Sequence, residues 1–209
     1  MAAFFGNLRN VVIAGFVLAI LLVLLHMCLA GYGAAEYFGH AFGAFVMRWL
    51  HVAAGVMWIG LLWYFNFVQV PTMPSVPAEL KPGVTKYIAP AALFWFRWAA
   101  MATIVLGILL AWMNGYLIEA YTLDVANGFT NPSFVMIGIG MWLGTIMWFN
   151  VWFVIWPNQQ KALNIGGKYP DLAAADKAAA GKAAMIFSRI NTLLSVPMLF
   201  SMVAAGHLY

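Results

Sequence analysis

An arginine, a histidine and a glycine stand at near-helical spacing inside an apolar stretch, Phe45-Val-Met-Arg-Trp-Leu-His-Val-Ala-Ala-Gly-Val-Met-Trp-Ile-Gly60. Arg48 and His51 are one helical turn apart, and Gly55 lies one turn beyond His51 on the same face. Ionisable groups in a segment apolar enough for lipid are costly, and by default they mark function. An imidazole ligates metals, and a glycine one turn away leaves room for something flat. An arginine pairs with carboxylates. Together they read as a haem b site, with His51 as axial ligand, Gly55 as clearance for the porphyrin and Arg48 as partner of the propionates. The plainer reading is that His51 hydrogen-bonds a neighbouring helix while Arg48 snorkels to the interface.

Haem held between helices needs a second imidazole at similar depth. The other histidines are His26, His40 and His207. His26 falls roughly 8 Å inside its apolar run and His51 roughly 6 Å inside its own, from the rise per residue. His207 is about one turn nearer the surface, which helix tilt absorbs. His40 shares a face with His51, roughly 16 Å away. Imidazole-only ligation also suits copper, so His26, His40, His51 and His207 form an alternative copper set. A second polar group, Asn66, Arg97, Asn150, Arg189 and Asn191, falls on the inner halves of the spans. It suits a proton or quinone site, or simply interhelical hydrogen bonding. The chain offers no paired carboxylates, no nucleophile with a base and no phosphate loop.

The elements that position these residues are membrane helices. Of 209 residues 65% are hydrophobic and 8% charged, against about 25% charged in soluble domains. The expected fold is an all-α integral membrane protein, one domain over 1–209, with five transmembrane helices in a bundle at about 11–30, 44–67, 91–113, 133–156 and 182–206. Each run has the roughly twenty residues needed to span. A chain opening on Met1 favours a retained first span over a cleaved signal sequence. Pro71, Pro74, Pro77 and Pro82 point to an ordered, non-helical loop between spans two and three. Gly140-x-x-x-Gly144 is a close-packing signal, and Pro197 marks a kink-prone point in span five. No internal repeat is evident.

Arg9, Lys81, Lys86, Lys161, Lys168 and Lys177 fall on one side of this five-span arrangement, and the remaining loops carry no Lys or Arg. The positive-inside rule then puts the N-terminus in the cytoplasm and the C-terminus outside, in a bacterial inner (cytoplasmic) membrane. All four histidines lie on the outer side. The net charge of +4 is therefore topological, and nucleic acid is not an expected partner. The single Cys28 excludes an internal disulfide, and the absence of Cys-x-x-Cys-His excludes covalently attached haem c.

Three motifs resemble one family. Arg48-Trp-Leu-His-Val-Ala-Ala-Gly-Val-Met-Trp-Ile-Gly60 with Tyr64-Phe-Asn-Phe67, Asn150-Val-Trp-Phe-Val-Ile-Trp-Pro-Asn-Gln-Gln-Lys161, and Ser188-Arg-Ile-Asn-Thr-Leu-Leu-Ser-Val-Pro-Met-Leu-Phe200 with His207 resemble the membrane domain of bacterial membrane-bound urate oxidases that carry a cytochrome c tail. More distantly, the first resembles the haem-binding helix of small membrane protoporphyrinogen oxidases. The resemblance implies a multi-helix electron-transfer module with His51 and His207 as motif histidines, while His26 rests on depth alone. The family's cytochrome c domain and its full set of spans are not in this chain. The expected function is a haem b-binding electron-transfer protein, alone or as a subunit of a respiratory or photosynthetic complex. Its partners would be the lipid bilayer, other redox subunits or a periplasmic cytochrome. The alternatives are a non-catalytic accessory subunit and a membrane oxidase of a small heterocycle such as urate.

Overall fold

The computed structural model describes residues 2–209, and these are helical with no strand. Five helices are long and apolar enough to cross a membrane: α1 (Leu8–Ala30), α2 (His40–Ser75), α3 (Lys81–Met113), α5 (Pro132–Leu163) and α6 (Ala174–His207). A short helix, α4 (Leu117–Tyr121), precedes α5. The chain forms two compact units, Met1–Val46 and Met47–Tyr209.

In the first unit, α1 is capped by the Asn7 side chain at its start and by left-handed Gly31 at its end. None of its residues is buried, which suits a helix apolar on every side and surrounded by lipid. Tyr37, Phe38 and Phe42 then stack edge to face or tilted.

The second unit has a core drawn from four helices: Trp58, Leu62 and Phe65 of α2, Leu93 and Phe96 of α3, Met147, Val151 and Ile155 of α5, and Ala184 and Met198 of α6. The loop between α4 and α5 folds around left-handed Asp124. One carboxylate oxygen of Asp124 accepts from Asn127 Nδ2 and the other from the backbone N–H of Asn131, both at 2.8 Å. Those bonds hold the carboxyl below its usual range.

The spans run longer than their apolar cores because prolines do not stop them. α2 continues through Pro71 and Pro74 to Ser75, and α3 begins at Lys81 with Pro82 in its first turn. The expected non-helical loop therefore shrinks to 76–80. Each proline sits at the first or second position of a new turn, where its missing N–H costs nothing. Three turns widen to π geometry just before a proline: Tyr64–Gln69 before Pro71, Val84–Ile88 before Pro90, and Asn150–Ile155 before Pro157. In each, the residue preceding proline donates five positions back: Val70 to Phe65, Ala89 to Val84 and Trp156 to Val151. The wider turn relieves the clash of the proline ring with the carbonyl four residues back. α6 runs through Pro197 as one helix.

α5 is held close by three glycines that meet three neighbours. A Cβ on Gly138 would collide with the Ala120 carbonyl oxygen of α4 and lie 2.8 Å from Leu123 Cδ2. On Gly140 it would press Met202 of α6 at 3.1 Å, and on Gly144 it would touch Ile104 of α3 at 3.8 Å. The Gly-x-x-x-Gly signal thus serves two different helices.

α2 and α5 also share a pattern. Met57-Trp-Ile-Gly60 with Phe65-Asn66 matches Met141-Trp-Leu-Gly144 with Phe149-Asn150. Both asparagines reach α6: Asn66 Nδ2 donates to Ser188 Oγ (2.8 Å) and Asn150 Nδ2 to Asn191 Oδ1 (2.9 Å). Their following helices match as well, Ala91-Ala92 with Arg97 and Thr103 against Ala183-Ala184 with Arg189 and Ser195. Thr103 and Ser195 are both buried. The two copies bury different faces: Trp58 and Phe65 are buried, and Trp142 and Phe149 are exposed.

Asn191 is fully buried and donates in turn to the Met147 carbonyl (2.9 Å). Asn191→Ala strands Asn150 and should cost about 1–2 kcal/mol, read as a lower Tm in detergent. Gly138→Ala should cost about 1–3 kcal/mol, because its obstacle is backbone that cannot swing away.

Candidate functional site

His51 lies on the face of α2 that builds the core. Trp58, Leu62 and Phe65 follow it at positions within about 40° of its direction at 100° per residue. Its side chain is seated on one turn of α3. His51 Nδ1 is 2.9 Å from the Thr103 carbonyl oxygen. A carbonyl only accepts, so Nδ1 carries the proton and donates, and the lone pair resides on Nε2. Gly107, one turn on, makes room for the ring: a Cβ there would stand 2.9 Å from His51 Cε1 and 3.1 Å from Nδ1. Thr103 is itself fixed, its hydroxyl donating to the Ala99 carbonyl at 2.7 Å. A histidine whose Nδ1–H is held by a backbone carbonyl has the oriented, basic Nε2 that metal ligation uses.

Gly55 also faces α3, where a Cβ would meet Thr103 Cγ2 at 3.9 Å. The space beside it is taken by that methyl group. Arg48 is exposed, one turn outward. Its charge reaches Tyr116 just past α3, partly offsetting the upward push that burial gives the phenol. The Tyr116 ring stacks on Phe134 at 5.9 Å and 26°.

His207 is level with His51. Trp63 Nε1 donates to Ser195 Oγ (3.0 Å), which fixes the register of antiparallel α2 and α6. His51 and His207 each lie twelve residues outward from that contact, about 18 Å along either axis. His207 Nδ1 donates to the Val203 carbonyl (3.0 Å), so its Nε2 is free as well. Its direction differs: it is exposed and stands about 160–180° around α6 from buried Asn191 and Met198. His26 and His40 belong to the first unit. His26 Nδ1 is paired with the Tyr37 hydroxyl at 3.0 Å, beside an open cavity of about 380 Å³. Among the described residues, no three His, Cys, Asp or Glu side chains come together as a metal site.

The inner polar residues divide. Asn66, Asn150 and Asn191 each donate to a neighbouring helix, and Asn66 Oδ1 is buried without a partner. Arg189 is exposed, and Arg97 is surrounded by indoles. Thr103 and Gly107 escaped the sequence reading. The available signal was the lone glycine in Leu106-Gly107-Ile108, since glycine inside a helix costs about 1 kcal/mol against alanine and so has a packing reason.

Residues 125–208 match the family model described as urate oxidase N-terminal. That is less than half of the chain and takes in the end of the loop before α5, then α5 and α6. It includes two of the three resembling motifs and His207, and it leaves out His51. This part of the chain is thus like the N-terminal domain of urate oxidase. No curated protein matches the chain, and no solved structure does.

Gly107→Ala should push the imidazole off Thr103. Nitrogen-15 spectra of labelled histidine in detergent should then change from a single Nδ1–H tautomer at His51 to a mixture. An unchanged His51 signal would show that the glycine does not set the ring.

Proposed function

We propose that the protein is a membrane electron-transfer module that carries haem b on His51. The supporting observation is the seating of that imidazole. Nδ1–H is tied to the Thr103 carbonyl, and Nε2 is left unprotonated on the core-facing side of α2. Interhelical hydrogen bonding alone would use one nitrogen of any suitable residue. It does not call for a glycine on the facing helix to admit the ring. Haem would supply a one-electron couple, with potential set by its ligands and their hydrogen bonds.

The residues fit the group in part. His51 suits an axial ligand, and Arg48 with Tyr116 suits propionates directed to the outer end. His207 fits in level and tautomer but faces away from the core, so a second ligand to the haem would be either His207 or a group outside this chain. The lysine-poor histidine end would face the periplasm, the N-terminus the cytoplasm, and an electron partner would dock on that outer end. A subunit role in a larger redox complex draws support from α1, an apolar helix none of whose residues is buried. A second reading, the membrane part of an oxidase of a small heterocycle such as urate, rests on the family match over residues 125–208.

Reduced-minus-oxidised spectra of protein purified from haem-replete cells should show b-type bands. His51→Ala should abolish them, and His207→Ala should abolish them only if it is the second ligand. Arg48→Gln should keep the bands and lower the midpoint potential, because a cation beside the propionates favours the reduced, less positive haem. Absence of any haem band in the wild type sinks the proposal. Urate-dependent dye reduction by membranes would favour the second reading.

A further inference from the structure

We propose that Arg97 and the indoles around it form a binding site for the phosphate headgroup of an anionic phospholipid, at the end of the bundle that carries Lys86 and Lys161. The Arg97 guanidinium carbon is 3.8 Å from the ring centre of Trp156, 5.3 Å from Trp152 and 5.6 Å from Trp98. Trp98 and Trp152 meet edge to face at 5.3 Å and 80°, which braces the cage. Arg97 Nε is buried without a hydrogen-bond partner, and no ion pair or hydrogen bond holds the guanidinium among the described residues. Aromatic faces temper its charge but do not satisfy five N–H donors. The missing element is an oxyanion, and phosphate matches the guanidinium fork.

Position selects the source of that phosphate. Side chains lean toward the N-terminus of their helix, which directs Arg97 toward the Lys81 end of α3. Lys86, exposed on the same rod, lies eleven residues below it, about 16 Å along the axis. Trp98, whose ring lies over the guanidinium, is 47% exposed, and Phe94, one turn before Arg97, is 48% exposed, so the cage opens at the surface of α3. A basic recess that opens sideways between the indoles, on the lysine-bearing half of the bundle, suits an anionic lipid. Arg189, the matching position of the second helix pair, is exposed and has no indole over it among the described residues. The cage is therefore particular to α3 and α5.

Native mass spectrometry of the intact protein in neutral detergent tests this with phosphatidylglycerol and phosphatidylcholine of identical acyl chains. The wild type should bind phosphatidylglycerol about tenfold more tightly, the worth of one charge-assisted pair. Arg97→Gln should erase the preference, Arg97→Lys should keep part of it, and Arg189→Gln should match the wild type. Should Arg97→Gln fail to fold, Trp156→Leu keeps the charge, opens the cage and should reduce the preference severalfold. Equal binding of both lipids by the wild type, or a preference that survives Arg97→Gln, overturns the proposal. Binding of inorganic phosphate at Arg97 without phosphatidylglycerol binding overturns the lipid assignment.

Discussion

Inside hydrocarbon a polar group has no water to answer it, and the second unit answers its polar groups unequally, leaving Trp58, Trp148 and Trp152 Nε1 among those without a partner. Asn191 is answered completely: its oxygen accepts from Asn150 and its amide donates to the Met147 carbonyl, so three polar groups close on one another. His51 is answered by half. One nitrogen is bound to Thr103, and the other keeps its lone pair. Arg97 receives aromatic faces in place of acceptors. A satisfied group ties helices together, whereas a half-satisfied one retains affinity for something further. The three residues thus differ in how much of their polar valence the protein fills, although all three read alike as polar letters in apolar text.

Backbone groups obey the same rule. The prolines near the lysine-bearing end remove donors and crowd carbonyls, and the chain responds by shifting three turns to π geometry without leaving the helix. Helical geometry so extends past each apolar core, and Asn66 and Asn150 are carried on or beside widened turns, in reach of α6. At the other end glycines do the positioning. Gly138 brings α4 onto α5, and Gly107 brings the His51 ring onto the backbone of α3.

Span number and type were legible because a run of about twenty apolar residues has few other solutions. Boundaries were less so, since proline reads as a stop in sequence and acts as a turn opening here. His51 and Arg48 stood out because charge in lipid is rare. Their setting did not. Thr103 lends a backbone carbonyl, which every residue has, and Gly107 acts by absence. Gly55, legible as open space, is met by the Thr103 methyl group because facing helices close such gaps. His207 shows a further limit: counting residues gives its level with His51, but its direction follows from which side of α6 the core claims.

The repeat separates what the scaffold needs from what a site needs. His51 precedes Met57 by six residues, and Val135 precedes Met141 by the same interval. Gly107 follows Arg97 by ten residues, as Leu199 follows Arg189. One copy of the helix pair therefore carries valine and leucine where the other carries histidine and glycine. A two-helix unit of this pattern does not require an imidazole or a missing side chain at those places, and burying aliphatic groups would stabilise it more. The His51–Gly107 pair is the costlier choice made in one copy only. Packing leaves that cost unexplained, and the haem proposed on Nε2 would account for it.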